Sequence, residues 1–228
     1  MQTIAERLDC ARQGIALATV NANRPPNSVK LLAVSKTKPV SDIMEAYEAG
    51  QRMFGENYVQ EGVDKIQQLS EYDDIEWHMI GPIQSNKTKI VAQHFDWVHT
   101  LDREKIARRL NEQRPTTLAP LQVCIQVNID DEGSKSGIKP EQLDDMVSFV
   151  STLEQLQLRG LMAIPKANPT PDEQQQSLDK LHDLFCRYHT KLASFDTLSV
   201  GMSGDMREAI LHGSTMVRIG SAIFGSRN

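Results

Sequence analysis

Leu31-Leu-Ala-Val-Ser-Lys-Thr-Lys-Pro39 is the stretch on which the reading of this chain turns. Apolar or small residues run straight into Lys36, and Pro39 interrupts the extension soon after. An apolar run without alternation suits a parallel strand covered by helices on both faces. In open α/β sheets and α/β barrels, the carboxyl end of such a strand opens into the crevice where ligands bind. A lysine there, once desolvated, sheds its proton, and the free amine condenses with an aldehyde to form a Schiff base. The competing reading is a strand-end lysine reaching for water, and the flanking sequence has to decide.

Working outward, one unit repeats: a short apolar strand, a polar or Gly-bearing loop, then a helix. Ile4, Leu8, Ala11 and Ile15 recur at helical spacing, so an amphipathic helix precedes the first strand, and residues 21–28 read as a turn-rich linker. The first strand ends at Lys36 and its helix runs over about 41–50. Further strands are predicted near 52–54, leading into Gly55-Glu-Asn57, and over 75–80, leading into Gly81. Another lies near 96–100, with Asp102 as N-cap of the following helix. Leu121–Ile129 is the fifth strand; residues 130–137 have the composition of a mobile lid, and Pro140 opens the next helix. Strand six spans 156–164. Thr170-Pro-Asp-Glu173 is a capping box. Strands at 197–200 and 214–219 end at Gly201-Met-Ser-Gly204 and Gly220-Ser221.

Eight strand–helix units predict a (β/α)8 TIM barrel with an extra N-terminal helix, in one domain over 1–228. A doubly wound open sheet is the structural alternative. With 39% hydrophobic and 24% charged residues, the composition is that of a soluble globular protein. A net charge of −5 argues against a bulk-basic nucleic-acid binder. Cys10, Cys124 and Cys186 are far apart and match no zinc or disulfide spacing; they read as reduced core residues of a cytoplasmic protein. No run approaches the ~18 apolar residues of a membrane span.

If every strand's carboxyl end feeds one rim, that rim gathers Lys36, Asn57, His78 with Gly81, Asn128, Met162, Ser203, and Arg218 with Gly220. Ser203-Gly204 and Gly220-Ser221 suit phosphate, because backbone N–H groups are unpaired there and glycine admits an anion closely. On adjacent strands opposite a lysine, they describe a pocket for a phosphorylated aldehyde. Gly81-Pro-Ile-Gln-Ser-Asn-Lys87-Thr88 falls short of a nucleotide P-loop, with Asn86 where glycine is needed and Pro82 removing an amide. The histidines form no metal-ligand spacing, so no metal is expected. His78 either lines the pocket or is a core histidine. Lys87, Lys89 and 103–109 read as solvated helix faces.

Seven stretches taken together resemble the pyridoxal phosphate homeostasis protein family: 32–39, Phe54-Gly-Glu-Asn57 onward, Trp77-His-Met-Ile-Gly81 through Lys87, Asn128 through Gly137, Arg159 to Met162, Leu198 to Ser203, and Met216 to Gly220. That family is similar to the barrel domain of alanine racemase. The resemblance implies that Lys36 carries pyridoxal 5′-phosphate as a Schiff base. It implies that Ser203 and Gly220 hold the phosphate, that Arg218 faces the pyridine nitrogen, and that Asn57, with His78 and Met202, completes the cofactor site. Gly204 departs from the pattern, where relatives often carry a larger polar residue.

An arginine at that nitrogen keeps it unprotonated and the ring a poor electron sink. Racemases of this fold also carry a β-rich second domain supplying an opposite-face acid, and here the sequence ends at Asn228, soon after strand eight. The expectation is therefore a cofactor binder that is not an enzyme, acting in vitamin B6 homeostasis as a monomer or weak dimer. It would buffer pyridoxal phosphate or deliver it to apo-enzymes, without nucleic acid or membrane as partner. The rival reading is a pyridoxal-phosphate-dependent, racemase-like amino-acid enzyme. Lys38 stands as a possible second attachment point.

Overall fold

Strand β1 (Lys30–Val34) hydrogen-bonds to β2 (Met53–Glu56) on one side and to β8 (Met216–Ile219) on the other, so the first and last strands close a ring. Between them β3 (Glu76–Met79), β4 (Trp97–Leu101), β5 (Leu121–Gln126), β6 (Leu156–Met162) and β7 (Thr197–Ser199) follow in sequence order, every pairing parallel. This computed structural model describes residues 2–133 and 135–225. Ser134 of the expected lid and Asn228 lie outside the described residues. The (β/α)8 barrel is what the apolar, unalternating strands demanded, since parallel strands need helices over their outer faces.

Helix α1 (Ile4–Asn21) precedes the barrel and starts at a Thr3/Glu6 capping box. Outer helices then follow the strands: α2 (Val40–Glu48), α3 (Val59–Gln68), α4 (Thr88–His94), α5 (Glu104–Gln113), α6 (Leu143–Val150), α7 (Pro171–His189) and α8 (Met206–Leu211), with a last turn, α9 (Ser221–Phe224). Thr170 caps α7 through the box with Glu173. Inside the ring, Gly55 makes room for the side chains of Leu32 and Ile80. Outside it, Phe54, Phe95 and Phe195 are fully buried between strands and helices.

Several expectations need correction. The fifth ladder stops at Gln126 rather than Ile129; Val127 still donates its N–H to the Met162 carbonyl of β6 but bridges on its other side to Ile138 of the loop, where the chain leaves the sheet. Asp102 does not cap α5, which begins after Arg103 without a side-chain cap; the Asp102 carboxylate accepts from Arg103 Nε. Of the cysteines only Cys124 is core, whereas Cys10 is exposed; none is bonded to another. The stretch after Gly81 carries a 3-10 turn, Ser85–Lys87, that runs into α4. No helix among the described residues is long and apolar enough to cross a membrane.

Candidate functional site

At the carboxyl ends of β1, β2, β7 and β8, a cavity of about 380 Å³ opens off the barrel axis. Lys36, Asn57, Met202, Ser203, Arg218 and Gly220 all line it, together with Thr37, Lys38, Ile80, Ile164, Gly204 and Ser221. The strand ends explain the convergence. Each of these residues follows its strand by only a few positions, or lies on it, and all the strands run the same way.

The expected phosphate turns face one another across β7 and β8. Gly201 takes a φ of +102°, and a Cβ there would come within 2.6 Å of the Ala209 side chain, so only glycine turns the chain into α8 at this point. The turn is then closed by Asp205, whose carboxylate accepts from the Met202 N–H at 2.6 Å. Ser203 lies exposed on that turn. Gly220 begins α9, with its carbonyl accepting from the N–H groups of Ile223 and Phe224. A Cβ on Gly204 would meet open space, so a larger residue would fit at this point of the cavity wall without strain.

Arg218 is anchored from below. Its Nη1 donates to the carbonyl and hydroxyl oxygens of Ser199, and Nη2 donates to the Ala163 carbonyl at 3.0 Å. Burial lowers its pKa to about 10, which leaves it charged at neutral pH. Three of its five N–H donors are thus committed to the barrel, which fixes the plane of the guanidinium at the cavity floor.

His78 does not line the cavity. It is fully buried two residues before Ile80, which follows the end of β3 and takes the place at the cavity wall. Its ring stacks on Trp97 at 5.2 Å, and its Nδ1 lies 2.9 Å from His99 Nε2. His99 Nδ1 in turn lies 2.9 Å from the Ser199 hydroxyl. Arg218, Ser199, His99 and His78 thereby form one polar chain through the barrel interior. Burial holds both imidazoles neutral: His99 falls to about 3, with the Arg218 charge adding to the effect, and His78 lies well below the ordinary imidazole range.

Two further rim expectations resolve differently. Met162 is buried in the barrel interior beside Trp97 and Cys124. Asn128 serves its own loop, donating to the Glu132 and Lys135 carbonyls and accepting from the Glu132 N–H. Lys135 pairs with Glu132 and donates to the Pro165 carbonyl, tying that loop to the end of β6. No group of metal-ligating side chains occurs among the described residues. Sequence reasoning gave no role to Ser199, His99, Glu56 or Lys65. Ser199 had one available signal, a hydroxyl at an inward strand position directly before the turn at Gly201–Gly204.

The cavity therefore combines a strand-end lysine, a buried cation with fixed geometry and two glycine-bearing turns. That donor set fits a small, phosphorylated, aldehyde-bearing ring: an amine for the carbonyl, turns for the phosphate and a cation for a ring acceptor. A model of the alanine racemase N-terminal domain matches residues 7–228. A pyridoxal phosphate homeostasis protein of Pasteurella multocida is 56% identical over 229 residues, covering 99% of this chain and 98% of that protein.

This chain belongs to the pyridoxal phosphate homeostasis protein family.

Its relative of the same name in Escherichia coli K12 is 54% identical over 230 residues, covering all of this chain and 98% of that one. Among solved structures, PipY of Synechococcus elongatus PCC7942 with pyridoxal phosphate bound superposes with a TM-score of 0.81 at 35% identity, covering 98% of this chain and all of that one. Alanine racemase of Corynebacterium glutamicum shares the fold at a TM-score of 0.70 and 15% identity, with this chain covering 62% of its length.

Proposed function

We propose that this chain binds pyridoxal 5′-phosphate at Lys36 and works in cofactor homeostasis, holding the cofactor and passing it to apo-enzymes without turning over a substrate. The observation that carries the reading is the meeting of Lys36, Arg218 and the Ser203 and Gly220 turns in one cavity. The relatives' name and the bound ligand of PipY support it.

In this reading Lys36 supplies the amine that joins the cofactor's aldehyde carbon. Ser203 donates its hydroxyl, and the backbone around Gly204 and Gly220 its N–H groups, to the phosphate. Arg218 faces the pyridine nitrogen as a donor, and Asn57 and Met202 flank the ring. Bound pyridoxal phosphate supplies an electron sink for carbanions. Arg218 weakens that sink, because a guanidinium that stays charged leaves the ring nitrogen without a proton.

Absence of turnover rests on the cavity wall. Among the described residues, the titratable groups lining it are Lys36, Lys38 and Arg218. Stereochemical inversion requires an acid and a base on opposite faces, each worth ~10²–10⁴ in rate, and the two lysines leave the end of the same strand. Borohydride reduction followed by peptide mapping tests the attachment and should place the pyridoxyl group on Lys36; finding it mainly on Lys38 or Lys135 overturns the assignment. Incubation with L-amino acids in deuterium oxide tests the second part. Little α-deuterium above a free-cofactor control is expected, and Lys36-dependent racemisation would make the chain an enzyme.

A further inference from the structure

Both neighbours of Lys36 along the chain are gripped from outside the barrel. Ser35 is fully buried; its hydroxyl donates to Glu56 Oε1 at 2.6 Å and its carbonyl accepts from Lys65 Nζ at 2.8 Å. Lys65, on α3, also donates to Glu56 Oε1 at 2.8 Å and to Glu61 Oε1 at 2.6 Å. Glu61 Oε1 then accepts from the backbone N–H of Thr37 at 2.5 Å. Thr37 has a φ of +63°, the left-handed region that a β-branched residue avoids. A residue persists there only where its surroundings over-determine it.

We propose that Glu56, Glu61 and Lys65 are positioning residues for Lys36. They lock Ser35 at the end of the strand and Thr37 in its left-handed turn, and so fix the direction in which the lysine enters the cavity. The inference rests on Lys36 being the attachment point. An ordinary anchor of α3 on the barrel would not need this chemistry. Val63 is already buried on the same helix, and Gly62 lets it approach Phe95 and Glu56 so closely that a Cβ would come within 2.6 Å of the Phe95 ring. A buried ion pair is a poor way to add stability, since desolvation opposes the Coulomb attraction. Here Glu56 is completely buried with its Oε2 lacking a hydrogen-bond partner. What the cluster gains is its bonds to the residues on either side of Lys36.

The test uses the full chain with three changes. Glu61→Ala removes the acceptor for Thr37, Glu61→Gln keeps an oxygen in place, and Thr37→Gly removes the conformational penalty. Glu61 and Thr37 are both partly or fully exposed, so the fold tolerates these variants. Pyridoxal phosphate affinity is read by absorbance titration. Glu61→Ala should lose about five- to thirtyfold, the penalty of left-handed backbone expressed as a ratio. Glu61→Gln should retain most of the affinity, and Thr37→Gly added to Glu61→Ala should restore it. Exchange of the Thr37 amide in protein without added cofactor should accelerate about tenfold in Glu61→Ala. Unchanged affinity and exchange in Glu61→Ala would overturn the proposal, as would a loss that Thr37→Gly fails to recover. If the wild type gave no pyridoxyl-Lys36, the attachment reading would fall, and amide exchange would still decide whether Glu61 holds the turn.

Discussion

Arg218 Nη1 donates to both the carbonyl and the hydroxyl oxygen of Ser199, at 2.7 and 2.9 Å, so the guanidinium is oriented by β7 before any ligand contributes. The same hydroxyl faces His99, which makes Ser199 the junction between the cavity floor and the buried imidazoles. Ser199→Ala should remove one of the two bonds that hold Nη1, leaving the one to the backbone carbonyl, and leave His99 Nδ1 without a partner. A loss of about 1.5–3 kcal/mol in urea unfolding is expected for a bond to a charged group, together with a shifted absorbance band of the bound cofactor. A variant with unaltered spectrum and stability would show that Arg218 holds its position without Ser199.

The phosphate assignment makes a quantitative demand. Ser203→Ala removes one hydrogen bond to a charged group, so pyridoxal phosphate affinity should drop roughly ten- to a hundredfold, while borohydride still traps the remaining complex at Lys36. Pyridoxal without its phosphate should respond little to the substitution. Equal losses for both ligands would move the phosphate elsewhere.

Gly81 sits against the main chain of Asn57, where a Cβ would come within 2.0 Å of the Asn57 carbonyl oxygen. Gly81→Ala must displace the Asn57 backbone, and with it a residue of the cavity wall. A stability loss of roughly 1–3 kcal/mol is expected from such overpacking, with weaker cofactor retention. Thermal unfolding and a cofactor titration check the two parts separately; retention equal to wild type would mean Asn57 does not touch the ligand.

The buried histidines set the acid limit. His99 has a folded-state pKa of about 3 against an ordinary value of 6.5, so between those values the unfolded chain binds a proton that the folded chain excludes. The His99 contribution is intact above about pH 6.5 and is lost as pH falls toward 3, at about 1.4 kcal/mol per pH unit. His78 shifts in the same direction. Urea midpoints should fall from pH 7 to pH 5, with a shallower slope in His99→Gln. A midpoint unchanged over that interval would contradict neutral, buried imidazoles.

The repeating strand–helix unit was legible because parallel strands covered on both faces read as plain apolar runs, and Gly or Pro punctuates the loops. Lys36, Asn57, Met202, Ser203, Arg218 and Gly220 were legible as a group because their strand ends share one rim. His78 was not, since telling a wall residue from one a layer lower needs barrel register, and His78 and Ile80 share the same parity. Strand ends ran long where apolar residues such as Val127 stay buried past the last ladder residue, between the sheet and a loop. The grip on Ser35 and Thr37 was illegible for another reason: Glu56 and Lys65 look like polar strand-end and helix-face residues until their burial is known.

Closure of the ring between β1 and β8 has a consequence for biosynthesis. Lys36 leaves the ribosome well before Arg218 and Gly220, and the cavity exists only once β8 has docked between β7 and β1. A nascent or truncated chain lacking that strand would expose two unpaired sheet edges and have no seat for the ligand. A ligand seated in that cavity would therefore stabilise molecules with a closed ring selectively over those in which β8 has yet to dock.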